Sequence, residues 1–241
     1  MTRLLSQDPV AVFCDFDGTI AHPDTLNHLT ELFAGVDFRR NIGEKLSSGE
    51  LSLREGIRLE VASIRGSLED VLNLLRRDVT IDSTFVSFAQ WCREIETPLT
   101  VLSGGMQQVI ENLLLPYELS FIQILANRVH INQGQWQLEF RDDTSWGHDK
   151  GAAIRSARET GYATIFVGDG LSDRGAAMEA DLVFAKSGLA RFCTAEKIPF
   201  EPFTDFSEIH DAVIERMKPG RPSIAAFHSS RGGSPKEDTE I

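Results

Sequence analysis

Two carboxylates one residue apart, Asp15 and Asp17, follow an apolar run and are themselves followed by Gly18 and Thr19. Carboxylates so placed can divide labour: one attacks as a nucleophile or holds a hard cation, while the other moves a proton. Further along, Ser103-Gly104-Gly105 offers a hydroxyl and open backbone, Lys150 a cation, and Gly168-Asp169-Gly170-Leu171-Ser172-Asp173 two more carboxylates. Hard oxygen ligands such as Asp15 and Asp169 suit Mg²⁺, which is usually held by one or two carboxylates plus substrate phosphate oxygens. The cation and Lys150 would offset the repulsion between an attacking carboxylate and a phosphate dianion. Ser103 and the Gly104 N–H, expected at a helix N-terminus, would hold the remaining phosphate oxygens. Ser103 has no G-x-S-x-G frame and no His–Asp pair to activate it, so a serine-hydrolase site is not expected. His148, beside Lys150, reads as structural.

These residues need a scaffold that collects them. Val10 to Cys14, Leu99 to Leu102, Thr164 to Val167 and Asp181 to Ala185 are short apolar runs suited to buried parallel strands. Each of the first three breaks into Gly or acidic residues. Met106, Val109, Ile110, Leu113 and Leu114 then recur at helical spacing. The alternation predicts an α/β fold with a Rossmann-like parallel sheet, and ligands in such sheets bind outside the carboxyl ends of the strands. Residues 24–82 hold no good strand. Leu26, Leu29, Leu32 and Phe33, then Leu53, Ile57, Val61 and Ile64, then Leu68, Val71, Leu72 and Leu75 mark three amphipathic helices, a cap inserted after the first strand. The catalytic core is expected over 1–23 and 83–218. A hairpin of structural role is expected around Asn127 to Phe140, turning at Asn132-Gln133-Gly134-Gln135, and a disordered tail over 219–241. Phe33, Phe38 and Met106 read as core.

The formal charge is −12, from 36 acidic against 24 basic residues, so the mean field repels nucleic acid and anionic membranes. A small phosphorylated metabolite is the expected partner, drawn in by local cations. Cys14, Cys92 and Cys193 lie apart in apolar stretches and read as reduced core thiols. No apolar run approaches the ~20 residues that cross a bilayer, and MTRLLSQDPV carries no apolar signal region. A cytoplasmic monomer or homodimer is expected.

In this order and strand context, Asp15-Phe16-Asp17-Gly18-Thr19, Ser103, Lys150 and Gly168-Asp169-Gly170-Leu171-Ser172-Asp173 resemble the haloacid-dehalogenase-like hydrolases over roughly residues 10 to 210. The all-helical insert is similar to the cap of the phosphoserine-phosphatase-like branch. Within it, SGGM at Ser103 to Met106 and GDGLSD at Gly168 to Asp173 are most similar to phosphatases of 2-hydroxy-3-keto-5-methylthiopentenyl-1-phosphate. The resemblance implies that Asp15 is the nucleophile and a Mg²⁺ ligand, and that Asp17 is the acid and base, with its backbone carbonyl on the metal. It further implies that Lys150 neutralises phosphate, that Asp169 binds Mg²⁺, and that Asp173 belongs to the metal site directly or by orienting its waters or Lys150. Transport ATPases of this superfamily carry Thr at the position of Asp17, and dehalogenases lack the second Asp, so Asp17 favours phosphate-ester hydrolysis or a mutase. Asp24 stands where phosphoserine phosphatases carry a Glu facing the substrate amine. Glu60 stands where they carry an Arg that binds the substrate carboxylate. Phosphoserine is therefore expected to be a poor substrate beside a neutral polyol, sugar or keto phosphate. A phosphoserine phosphatase, a phosphomutase and a non-catalytic phosphate-binding module are the alternatives.

Overall fold

The computed structural model describes residues 9–217, and the tail expected over 219–241 lies outside them. Strand β1 (Val10–Cys14) leads into β2 (Ala21–His22) and then into four helices, α1 (Thr25–Ala34), α2 (Val36–Ser48), α3 (Leu53–Ser63) and α4 (Leu68–Asp78). The chain returns through β3 (Thr80–Ile81), α5 (Ser83–Glu94), β4 (Leu99–Met106), α6 (Gln107–Leu114), β5 (Gln123–Asn132) and β6 (Gln135–Glu139). It ends with α7 (Lys150–Glu159), β7 (Ala163–Gly168), α8 (Arg174–Glu179), β8 (Leu182–Ala185), α9 (Ser187–Glu196), β9 (Glu201–Pro202) and α10 (Phe206–Met217).

The large sheet runs β6-β5-β4-β1-β7-β8-β9. All its neighbours are parallel except β5 and β6. From β1 the chain builds outward to β6 on one side, then returns to lay down β7, β8 and β9 on the other. The direction reverses at β1, and that reversal opens the crevice where open α/β sheets take their ligands. β1 is apolar without alternation because both its faces are covered. Val10, Val12 and Cys14 join the core that includes α5, α6 and α10, while Ala11 and Phe13 join the one that includes Ile154 of α7, Ala176 and Ala177 of α8, and Leu189 of α9.

The helical cap differs from the sequence expectation in two respects. It holds four helices, because α2 buries only Ile42 and so carries no apolar period to read. It is also entered and left by strands: β2 and β3 pair antiparallel, Ala21 with Ile81 and His22 with Thr80, a ribbon too short for period-2 patterning to register. Local signals fix the helix starts. Asp24 caps α1, and reciprocal capping boxes, Ser52 with Glu55 and Ser67 with Asp70, open α3 and α4.

The hairpin of β5 and β6 turns where expected, at Gln133 (φ 49) and Gly134 (φ 75), the two positive φ values of a tight two-residue turn. It also supports the cap. Trp136, 1% exposed, donates its indole N–H to the Gly66 carbonyl at 2.9 Å, and Arg65 bridges to Gln135. Of the three residues read as core, Met106 is buried and Phe33 packs on the core, but Phe38 is exposed, in the first turn of α2, a helix that buries only Ile42.

Candidate active site

Asp15 lies at the carboxyl end of β1, with its N–H bonded to the Val167 carbonyl of β7. Its Oδ1 accepts from Lys150 Nζ at 2.6 Å, and the same ammonium donates to Asp173 Oδ1 at 2.7 Å. Lys150 starts α7, packed against β7 beside β1, and is buried together with both carboxylates. Burial opposes its charge, but the two carboxylates outweigh that and hold its pKa above the ordinary lysine range. The second oxygen of Asp173 accepts from the N–H groups of Asp169 and Gly170, each at 2.9 Å. Asp173 therefore fixes the 168–173 turn and makes no side-chain cap for α8.

Asp15, Asp169 and Asp173 each bring a carboxylate oxygen to within 4.8 Å of the others. Burial and neighbouring carboxylates push Asp15 well above the ordinary range, against Lys150, and raise Asp169 to about 6. Three crowded carboxylates with one ammonium between them form an anion-rich, all-oxygen pocket. That donor chemistry fits a small hard divalent cation.

Asp17 is reached through a tight turn in which Gly18 takes φ 77. A Cβ on Gly18 would sit 2.6 Å from Asp169 Oδ2, so only glycine lets the two motifs meet. Asp17 Oδ1 accepts from the N–H of Thr25 at 2.8 Å and its hydroxyl at 2.7 Å. Oδ2 is left facing Gly105, where a Cβ would stand 2.9 Å away. Burial raises the Asp17 pKa despite the two bonds from Thr25. Ser103 Oγ accepts from the Gly105 N–H at 2.9 Å. Gly104 lies inside β4, which runs irregularly on to Met106 before α6 begins. The expected helix N-terminus thus starts three residues later, and the strand itself carries the Ser-Gly-Gly turn. His148 is neutral, since burial pulls its pKa down to about 4. Its Nδ1 lies 3.0 Å from the Ser103 carbonyl, which can only accept, so Nδ1 carries the proton.

A cavity of about 320 Å³ joins these groups to the cap. Asp15, Asp17, Ser103, Gly104 and Asp169 line the core end, and Asp24, Asn27, Arg39, Leu46, Ile57 and Glu60 line the cap end. Asp24 is held by the Asn27 N–H at 2.8 Å, and Arg39 Nε donates to Asn27 Oδ1 at 2.9 Å. Sequence reading missed Arg39 and Leu46 because both sit on α2, the helix without an apolar period.

Glu60 is 8% exposed. Among the described residues its carboxylate has no hydrogen-bond or ion-pair partner, and burial pushes its pKa from 4.5 to about 7 while Arg39 pulls the other way. A raised folded pKa costs nothing below the unfolded value and loses stability as pH climbs to 7. Glu60→Gln is therefore expected to stabilise the protein by about 2 kcal/mol more at pH 8 than at pH 5. Thermal melts of both proteins at the two pH values check this, and equal differences at both would count against it.

The sequence profile described as haloacid dehalogenase-like hydrolase matches residues 12–178, from β1 through α8. The chain belongs to that family. The hydrolase is 35% identical to Pdp3-interacting factor 1 of Schizosaccharomyces pombe over 83% of its own length and 92% of that protein. It is 29% identical to the polyol phosphate phosphatase PYP1 of Saccharomyces cerevisiae, covering 89% and 96% of the two chains. Identity to a 2-hydroxy-3-keto-5-methylthiopentenyl-1-phosphate phosphatase of Bacillus cereus is 30%, over 83% and 94%. Its fold matches a phospho-aspartyl intermediate analogue of phosphoserine phosphatase with a TM-score of 0.67 at 19% identity, over 85% of this chain and 99% of that one. In this hydrolase no helix among the described residues is long and apolar enough to cross a membrane.

Proposed function

We propose that this hydrolase is a Mg²⁺-dependent phosphatase that cleaves a small phosphomonoester through an aspartyl-phosphate on Asp15. The observation that carries the reading is the buried ammonium of Lys150 against Asp15, with Asp17 and Ser103 on the same cavity. Asp15 turns Oδ1 to Lys150, which leaves Oδ2 to attack phosphorus. Asp17 is anchored through Oδ1 by Thr25, so Oδ2 is the atom that moves a proton. Its raised pKa suits an acid that protonates the leaving alcohol oxygen as the P–O bond breaks. The resulting carboxylate then takes a proton from water, whose oxygen attacks phosphorus. Inorganic phosphate departs and Asp15 is restored. Ser103 and the Gly104 N–H bind phosphate oxygens, and Lys150 offsets their charge. Asp15, Asp169 and the Asp17 carbonyl would hold Mg²⁺, which supplies charge neutralisation of the phosphoryl group when bound, and Asp173 holds Lys150 and the Asp169 backbone in place.

At the leaving-group end, Glu60 and Asp24 present two carboxyls beside the guanidinium of Arg39, whose Nε is taken by Asn27, and this acidic excess disfavours an anionic leaving group. They suit the hydroxyls of a neutral polyol, sugar or keto-compound. The names of the relatives, a polyol phosphate phosphatase and a phosphatase of 2-hydroxy-3-keto-5-methylthiopentenyl-1-phosphate, agree with this class. Three buried free thiols accord with a reducing cytoplasm.

A panel of phosphate esters with Mg²⁺ tests the reading. Neutral polyol, sugar or keto phosphates are expected to exceed phosphoserine by about tenfold or more in kcat/KM. Equal or better turnover of phosphoserine would overturn the substrate class. Dependence on an added bisphosphate would mark a mutase, and inertness across the panel a binding module.

A further inference from the structure

Residues 140–149 connect β6 to Lys150 and brace the Ser103-Gly104 segment. Asn127, buried on β5, donates to the Gly104 carbonyl at 2.8 Å and accepts from the Arg141 N–H at 2.9 Å. His148 bonds the Ser103 carbonyl. Asp142 takes the Thr144 N–H on Oδ1 and the Asp149 N–H on Oδ2 at 2.7 Å, which fixes the residue just before Lys150. The phosphate cradle and the cation are thus braced by a single strap.

Two cap residues meet that strap: the guanidinium centre of Arg58 lies 5.7 Å from the centre of the Phe140 ring, and Arg54 grips the strap through hydrogen bonds as well. Arg54, in the first turn of α3, gives its backbone N–H to the Ser145 carbonyl at 2.8 Å. Its guanidinium donates to the carbonyls of Asp142 and Thr144, and its centre lies 4.2 Å from the centre of the Phe140 ring. Phe140 packs on Gly147, where a Cβ would meet the ring at 2.8 Å. The Arg54 side chain is only 21% exposed. None of this is needed to make α3, which has its own capping box and buries Ile57, Glu60 and Val61.

We infer that Arg54 is a positioning residue that makes cap docking and alignment of the Ser103–Lys150 phosphate cradle a single event. The inference rests on the phosphatase reading above. With Arg54 in place, the strap reaches its bonded geometry only when α3 is seated over the cavity, so the cradle is complete only around an enclosed substrate. A lysine cannot substitute, because two carbonyls and a ring face are engaged by a planar fork that a point ammonium does not reproduce.

The test uses the full chain with Mg²⁺ and three variants, Arg54→Ala, Arg54→Lys and Phe140→Leu. Two readouts are taken: kcat/KM for the best ester, and inhibition by orthovanadate, which mimics the five-coordinate phosphoryl group. Arg54→Ala is expected to lower kcat/KM and weaken vanadate by the same factor, about 10- to 100-fold, through misplacement of the cradle. Arg54→Lys should recover little of this, and Phe140→Leu should show a smaller parallel loss. Vanadate inhibition within about twofold of wild type in a folded Arg54 variant overturns the inference, whatever happens to KM. If Arg54→Ala does not fold, Arg54→Lys and Phe140→Leu decide it by the same criterion. An inert wild-type protein would instead refute the phosphatase reading itself, so the two failures are distinct.

Discussion

Asp15→Asn is expected to lower kcat for a generic phosphate ester by on the order of 10⁴-fold, with no phosphoenzyme trapped on acid quench. The carboxamide is nearly isosteric and still accepts from Lys150 Nζ through its carbonyl oxygen, so the site geometry persists. What disappears is the nucleophilic oxygen that faces away from Lys150. The fold should not suffer. Burial and Asp173 already push the Asp15 carboxyl upward, so ionised Asp15 costs folding energy at neutral pH, and a neutral amide relieves that cost. A variant that melts at or above the wild-type temperature and yet turns over nothing isolates the chemical role. Turnover near wild type would show that the nucleophile lies elsewhere.

Lys150→Met separates charge from packing. Methionine fills much of the volume of the lysine stem but leaves Asp15 and Asp173 buried against each other without their shared cation. Breaking a buried pair from one side costs about 3–5 kcal/mol, and the lost charge compensation should cut activity by about 10³-fold. Lys150→Met combined with Asp173→Asn is expected to recover part of the stability and none of the activity, because one of the uncompensated carboxylates is gone. Urea unfolding with unchanged m-values measures the first effect and steady-state kinetics the second. A double variant less stable than Lys150→Met alone would mean that the bonds from Asp173 to the Asp169 and Gly170 N–H groups outweigh its charge.

The convergence of Asp15, Ser103 and Asp169 was readable because each sits at the end of a buried apolar run, where the parallel sheet must deliver it to one crevice. Asp15 after Cys14 and Asp169 after Gly168 needed no tertiary information beyond the topology. The partners that tune them were less accessible. Nothing local announces that Thr25 anchors Asp17, or that Asn127 ties Gly104 to Arg141, since these contacts span layers. The cap was legible only where its helices carry an apolar stripe. α2 buries one residue and so hides the one element that brings Arg39 to the cavity. The two-residue strands β2 and β3 escape for a different reason: their pairing is fixed by closure of the chain around the cap, and two residues cannot display an alternation.

The place of β1 in the sheet has a consequence for how the chain is made. Among the described strands it comes first in the sequence and lies at the centre of the sheet, pairing with Leu99 to Val101 on one side and Ala163 to Val167 on the other. Its β4 edge therefore waits, unpaired and apolar, until the whole cap has followed, and its β7 edge until more than half of the 241 residues have. Such non-local pairing is slow, and an apolar strand exposed during that delay invites association with other chains. Asp15 and Asp17 follow that strand directly. Whatever they do in the folded site, their charge ends the apolar run of β1 while it waits for its partners, in the manner of gatekeeper residues.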